Sequence, residues 1–70
     1  MRLWLKMKIL AIYGTQRKFA RVLGKDDDWV SRIIVGRSDP NEQDKELIAS
    51  KLGVVDGDKR ELLFAKQEEI

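Results

Sequence analysis

The stretch Gln16 to Gly36, QRKFARVLGKDDDWVSRIIVG, decides the fold. Phe19, Ala20 and Leu23 recur at the spacing of one helical face. Gly24 follows them and takes left-handed dihedrals without steric cost, which ends a helix and permits a sharp turn. Asp26 is a residue type that caps helix N-termini. Asp27 and Asp28 then place carboxylates in the first turn, where the helix dipole favours anions. Val30, Ile33 and Ile34 make the buried side of this second helix, and Gly36 stops it. Ala20 is small enough for two helix backbones to approach each other there. The stretch predicts two short helices joined by a tight turn.

The pattern extends in both directions. Upstream, Leu3 to Tyr13 predicts a helix whose inward stripe is Leu5, Ile9 and Ile12. Gly14 ends it, and Thr15 caps the helix that starts at Gln16. Downstream, Asp39-Pro40 predicts the start of a fourth helix, with Asp39 as the cap and Pro40 as the first helical residue. Leu47, Ile48 and Leu52 supply its stripe. Gly53 closes it, and Val54 folds back over its last turn. The tail from Asp58 carries Leu62, Leu63, Phe64 and Ile70, as a short fifth helix or a packed extension. Val54-Val55 is too short for a strand. The predicted class is all-α, a compact four- to five-helix arrangement.

The chain has 70 residues, enough for a single domain over 1–70. It contains no cysteine and no histidine, which excludes disulfides, thiolate or imidazole metal sites and imidazole catalysis. Asp56-Gly57-Asp58-Lys59 lacks the further oxygen ligands of a calcium loop and predicts a turn with a helix cap. No enzyme activity, cofactor, metal or small-molecule ligand is expected. No apolar run approaches the ~20 residues of a membrane span. The opening MRLWLKMKIL is broken by Lys6 and Lys8, and no small-residue cleavage site follows, so a cytoplasmic protein is expected.

Net charge is +2, unevenly spread. Residues 1–37 carry nine Lys/Arg against three acids, a balance of +6, and no acid precedes Asp26. Residues 38–70 carry five bases against nine acids, a balance of −4. A basic half beside an acidic half suits a polyanion on one face; a solvated surface with chance clustering accounts for it equally well.

The joint spacing of Gln16, Ala20, Gly24, Val30, Ile33 and Gly36 resembles the helix-turn-helix domain of the phage lambda repressor and Cro family, the XRE-type regulators. Thr15-Gln16 and the run Ile48-Ala49-Ser50-Lys51-Leu52-Gly53-Val54 extend the resemblance over about residues 5–54, with the helix-turn-helix at 16–36 and the C-terminal helix or extension at 55–70. It implies a lambda-repressor-like fold and sequence-specific binding of double-stranded DNA by a transcriptional regulator of the repressor type, phage- or prophage-like. The third helix, about Asp27 to Val35, would enter the major groove with Asp27, Asp28, Ser31 and Arg32 toward the bases. Gln16 and Arg17, at the N-terminus of the second helix, would approach a phosphate, and Arg37 and Ser38 would make further backbone contacts. Lys18, Arg21 and Lys25 would add positive field. A homodimer on a pseudo-palindromic site is expected, with half-sites about 34–36 Å apart.

Several residues keep two readings. The triplet Asp26-Asp27-Asp28 departs from the Gln, Ser, Thr or Lys with which such recognition helices often begin. Asp26 reads as the cap; Asp27 and Asp28 either complement the helix dipole or accept from cytosine N4. Arg32 either reads guanine or pairs with Asp28 one turn earlier. Trp29 is a lid on the core between the third and fourth helices, or stacks on a nucleotide. Leu3, Trp4 and Leu10 fall off the inward stripe and either cover the C-terminal segment or form an exposed apolar patch. The acidic triplet and modest net charge also fit a protein-interaction module on the same fold, such as an antitoxin, antirepressor or adaptor.

Overall fold

The computed structural model describes residues 1–66, and Ile70 lies outside them. Five helices follow one another: α1 (Leu3–Tyr13), α2 (Gln16–Leu23), α3 (Asp27–Val35), α4 (Glu42–Lys51) and α5 (Gly57–Phe64). No strand occurs among the described residues. The tail is therefore a fifth helix rather than an extended segment.

Side-chain caps fix most of the helix starts. Thr15 accepts from the Lys18 amide at 3.1 Å and Asp26 from the Trp29 amide at 2.7 Å. Asp56 accepts from the Asp58 amide at 2.9 Å and so begins α5. Between α2 and α3 the chain turns at Gly24, whose φ of 73° is left-handed. The amides of Gly24 and Lys25 return to the last carbonyls of α2, from Arg21 at 3.1 Å and from Ala20 at 2.9 Å. At the end of α4, Gly53 takes φ 72°, and the Val54 amide bonds Ala49 O at 2.9 Å. Val54 folds back here as its sequence position predicts.

One core is shared by all five helices. Leu5 and Ile9 from α1 meet Phe19, Ala20 and Leu23 from α2, and Val30, Ile33 and Ile34 from α3. Ile48 of α4, Leu52 just beyond it, and Leu63 and Phe64 of α5 close it. Ala20 is almost wholly buried, as expected of the small residue between α2 and its neighbours.

Three expectations fail. Ile12 is 48% exposed and not part of the inward stripe. Tyr13 takes the next inward position after Leu5 and Ile9, because four-residue steps keep one face. Its ring lies 5.0 Å from that of Phe19, and its hydroxyl donates to Lys51 O at 2.5 Å. A polar-tipped ring thus covers the core edge where an isoleucine was expected. Asp39-Pro40 does not begin α4 either. Asn41 is the cap, accepting from the Asp44 amide at 2.8 Å, and Pro40 precedes it. Leu47, expected inside, is only half-buried at the core margin.

Asp39 is drawn instead to Arg2, whose side chain is almost fully buried. Its Nη2 meets Asp39 Oδ1 at 2.5 Å, and Lys66 Nζ reaches the same oxygen at 3.2 Å. The Arg2 hydrogen bond, then the hydrogen bond and charge of Lys66, hold the Asp39 carboxyl below the ordinary aspartate range. A carboxyl depressed in the folded state adds stability above its unfolded pKa and loses it as pH falls through the folded value. Stability should therefore begin to fall near about pH 4 and continue to fall below it. Asp39→Asn should flatten that part of the curve in urea denaturation at neutral and acid pH. Superimposable pH profiles for the two proteins would remove Asp39 as a source.

Candidate nucleic-acid interface

α3 buries Val30, Ile33 and Ile34, so its opposite side faces outward. Successive residues turn by about 100° around a helix. Asp28, Arg32 and Val35 therefore form one outward stripe at i, i+4 and i+7, and all three are exposed. Ser31 lies at its margin and is half-buried. Val35, 43% exposed, was not singled out by the sequence reading. Its spacing from Asp28 and Arg32 is the signal that places it there.

The three aspartates have separate environments. Asp26 caps α3. Asp28 pairs with Arg32, with Oδ2 3.3 Å from Nε, and Nε also lies 3.5 Å from the Asp28 carbonyl. Both side chains of this pair are at least half exposed. Asp27 faces a different surface, a shallow groove it shares with Lys6 and Leu10 of α1, Thr15, and Gln16 and Arg17 of α2. No group of three or more acids among the described residues is placed to hold a metal ion.

That groove joins three of the candidate residues, Gln16, Arg17 and Asp27. The Gln16 and Arg17 amides stand at the start of α2, where backbone donors have no intrahelical acceptor. Arg17 and Lys6 add positive charge beside them, and Asp27 opposes it. Arg37 and Ser38 lie at the other end of α3, about 13 Å along its axis from Asp27. Their amides both return to Arg32 O, at 3.0 and 3.2 Å, and so close the last turn of α3. The Ser38 carbonyl accepts from Arg2 Nη1 at 3.1 Å. The Arg37 side chain is exposed, whereas Ser38 is half-buried and serves the fold through its backbone.

Arg2, counted among the nine bases of the first half, turns inward and belongs to the core rather than to a basic surface. Lys25 extends over the Trp29 ring, with Nζ 5.1 Å from its centroid. Trp29 itself is half-buried and packs against the core beside Val30 and Ile48, the lid position. Trp4 satisfies both of its readings. It borders Leu62 and Leu63 of α5 and Val54, yet it is 53% exposed. No helix among the described residues is long and apolar enough to cross a membrane.

Comparison with known proteins finds no family model, no curated protein and no solved structure that matches the chain.

Proposed function

We propose that the chain is a sequence-specific regulator that binds double-stranded DNA, of the lambda repressor and Cro type, with α2 and α3 as its helix-turn-helix. The observation that carries this reading is the outward stripe of α3. Asp28, Arg32 and Val35 stand clear of the core on a helix held rigidly from behind by Val30, Ile33 and Ile34. A helix displayed in this way fits the major groove, which admits one α-helix. Arg32 is the guanine reader, Val35 the apolar contact for a thymine methyl, and Arg17 with the first amides of α2 the phosphate anchor. Arg37 adds a backbone contact beyond α3. The protein acts as a cytoplasmic homodimer on a pseudo-palindromic site.

Affinity selection of a randomised duplex library with the purified protein tests this. A two-fold-symmetric consensus is the expected result, with affinity for random duplex falling steeply as salt rises because counterions are released. An asymmetric half-site would keep DNA binding and remove the dimer. Absence of enrichment at low salt would overturn the reading. On the selected site, Asp27→Asn should relax preference at one base pair if the carboxylate accepts from cytosine. Its place in the groove beside Arg17 favours a different result, an unchanged consensus with tighter overall binding, because one opposing charge leaves the phosphate anchor.

A second reading rests on a different observation. α1 is apolar on its outward side as well as its inward one: Leu3, Trp4, Met7 and Leu10 are each 41–53% exposed. Such a face favours a protein-interaction module.

A further inference from the structure

α1 packs Leu5 and Ile9 inward, and its outward stripe is Leu3, Met7 and Leu10, at i, i+4 and i+7. Trp4 widens that stripe toward α5, where Trp4, Val54, Leu62 and Leu63 line a mostly apolar groove of about 210 Å³. Leu62 is 59% exposed. These five half-exposed side chains form one contiguous apolar patch of roughly several hundred Å², the size of the largest patch on a typical monomer and often functional.

The charges along α1 and at the groove select its occupant. Lys6 and Lys8 flank Met7 at about 100° to either side, and Lys8 and Lys59 stand at the groove itself. α1 contains no acid. If α1 packed against α1 of a second copy, parallel or antiparallel, a lysine flank would meet a lysine flank, as at the edge positions of a coiled coil. A flat bilayer would leave the concave space between Trp4 and Leu62 unfilled. A helix with apolar residues on one side and carboxylates along both edges satisfies the stripe, the groove and the lysines together.

We propose that the outward face of α1 and its groove with α5 is a docking site for an acidic amphipathic helix of a partner protein. The site does not include the outward stripe of α3, though Lys6 and Leu10 also border the groove beside Arg17, and peptide binding is measured without DNA so that its failure is distinguishable from failure of the DNA reading.

The test is selection from a displayed library of helical 16-residue peptides. Leucine is fixed at i, i+3 and i+7, and the flanking positions are randomised among Glu, Lys and Ser. The expected result is enrichment of Glu at both flanks. Selected peptides should bind the wild-type chain at least about tenfold more tightly than their Lys-flanked counterparts. Leu62→Glu should abolish that binding. The double variant Lys8→Glu, Lys59→Glu should reverse the preference toward Lys flanks; both lysines are exposed, and an unchanged circular dichroism melt would confirm that the fold persists. Arg32→Ala should leave the selection unchanged. Flanks enriched equally in Glu and Lys, or no enrichment, would overturn the proposal. So would a preference of the chain for phosphatidylserine-containing vesicles over the peptides, which would assign the face to a membrane surface. A dimer of the chain alone in sedimentation that Met7→Glu dissolves would likewise overturn it, because a second copy would then be the occupant.

Discussion

Arg2→Ala is expected to lower the unfolding free energy by at least about 3 kcal/mol, because the guanidinium donates to three main-chain carbonyls and a hydrogen bond to a charged group is worth about 1.5–3 kcal/mol. Arg2 is 4% exposed. Its Nε donates to Phe64 O at 2.9 Å, and its Nη1 to Ile33 O at 2.6 Å and Ser38 O at 3.1 Å. Nη2 meets Asp39. One guanidinium thus ties the last residue of α5, the end of α3 and the loop before α4 to the start of the chain. Alanine keeps the backbone hydrogen bond from the Arg2 amide to Ile34 O but removes all the side-chain donors. Ile33 O keeps the Gly36 amide at 3.2 Å, but Phe64 O loses the Arg2 donor, and a buried carbonyl left without one costs about 1–3 kcal/mol.

The scale of that loss decides the outcome. A chain of this length has a total stability of roughly 4–10 kcal/mol. One kcal/mol corresponds to about 4–8 °C in a domain this small, so the melting temperature should fall by at least about 12 °C. Arg2→Met separates packing from donation. It restores an apolar stem but no donor, and should be nearly as destabilised as alanine. Arg2→Lys keeps the charge beside Asp39 without the planar fork and should fall between wild type and alanine. Urea denaturation followed by circular dichroism measures all three. A loss below about 1 kcal/mol for alanine would mean that water replaces the guanidinium at these carbonyls.

Arg2 also marks the limit of what the sequence discloses. The five helices are legible because their punctuation is local: Thr15, Asp26, Gly24 and Gly53 act on amides and carbonyls a few residues away. The inward sides of α2 and α3 are legible because Phe19, Ala20, Leu23, Val30, Ile33 and Ile34 follow the helical period without competition. α1 is harder to read because apolar residues surround it. Periodicity then permits either Ile12 or Tyr13 as the third inward residue, and only the position of Phe19 and the Lys51 carbonyl selects the tyrosine. The start of α4 is misread for a related reason. Asp39-Pro40 and Asn41 both carry cap chemistry, and a distant arginine that claims Asp39 decides between them. Arg2 and Phe64 are separated by nearly the whole chain, so no local pattern foretells their bond. Among the candidate site residues, the helix positions of Asp28 and Arg32 follow from spacing. That Asp27 leaves their stripe for the groove beside Arg17 depends on how α1, α2 and α3 pack.

On a duplex selected by the protein, Arg32→Ala is expected to weaken binding by about 1–3 kcal/mol, roughly 5- to 150-fold. Random duplex should lose far less. The competing fate of Arg32 is its pair with Asp28, Nε to Oδ2 at 3.3 Å. That pair is solvent-exposed and one turn apart on a helix, a setting worth only about 0.2–0.5 kcal/mol. A bidentate contact to guanine is several times stronger, so the base wins wherever it is offered. The pair is made through Nε, so Asp28 orients the side chain from that edge and the Nη donors are the ones to meet O6 and N7. Three variants separate these roles by fluorescence anisotropy on selected and random duplexes. Arg32→Lys retains a charge for phosphate but loses the fork, so discrimination should drop while random-duplex affinity holds. Asp28→Ala removes a carboxylate from the DNA side and should tighten random-duplex binding. If orientation by Asp28 matters, the same change narrows the gap between selected and random sites. The double variant Asp28→Ala, Arg32→Ala then shows no further loss of discrimination beyond Arg32→Ala, because the carboxylate acts only through the arginine. Equal losses on both duplexes for Arg32→Ala would make the residue a phosphate contact and pass the reading of bases to the rest of α3.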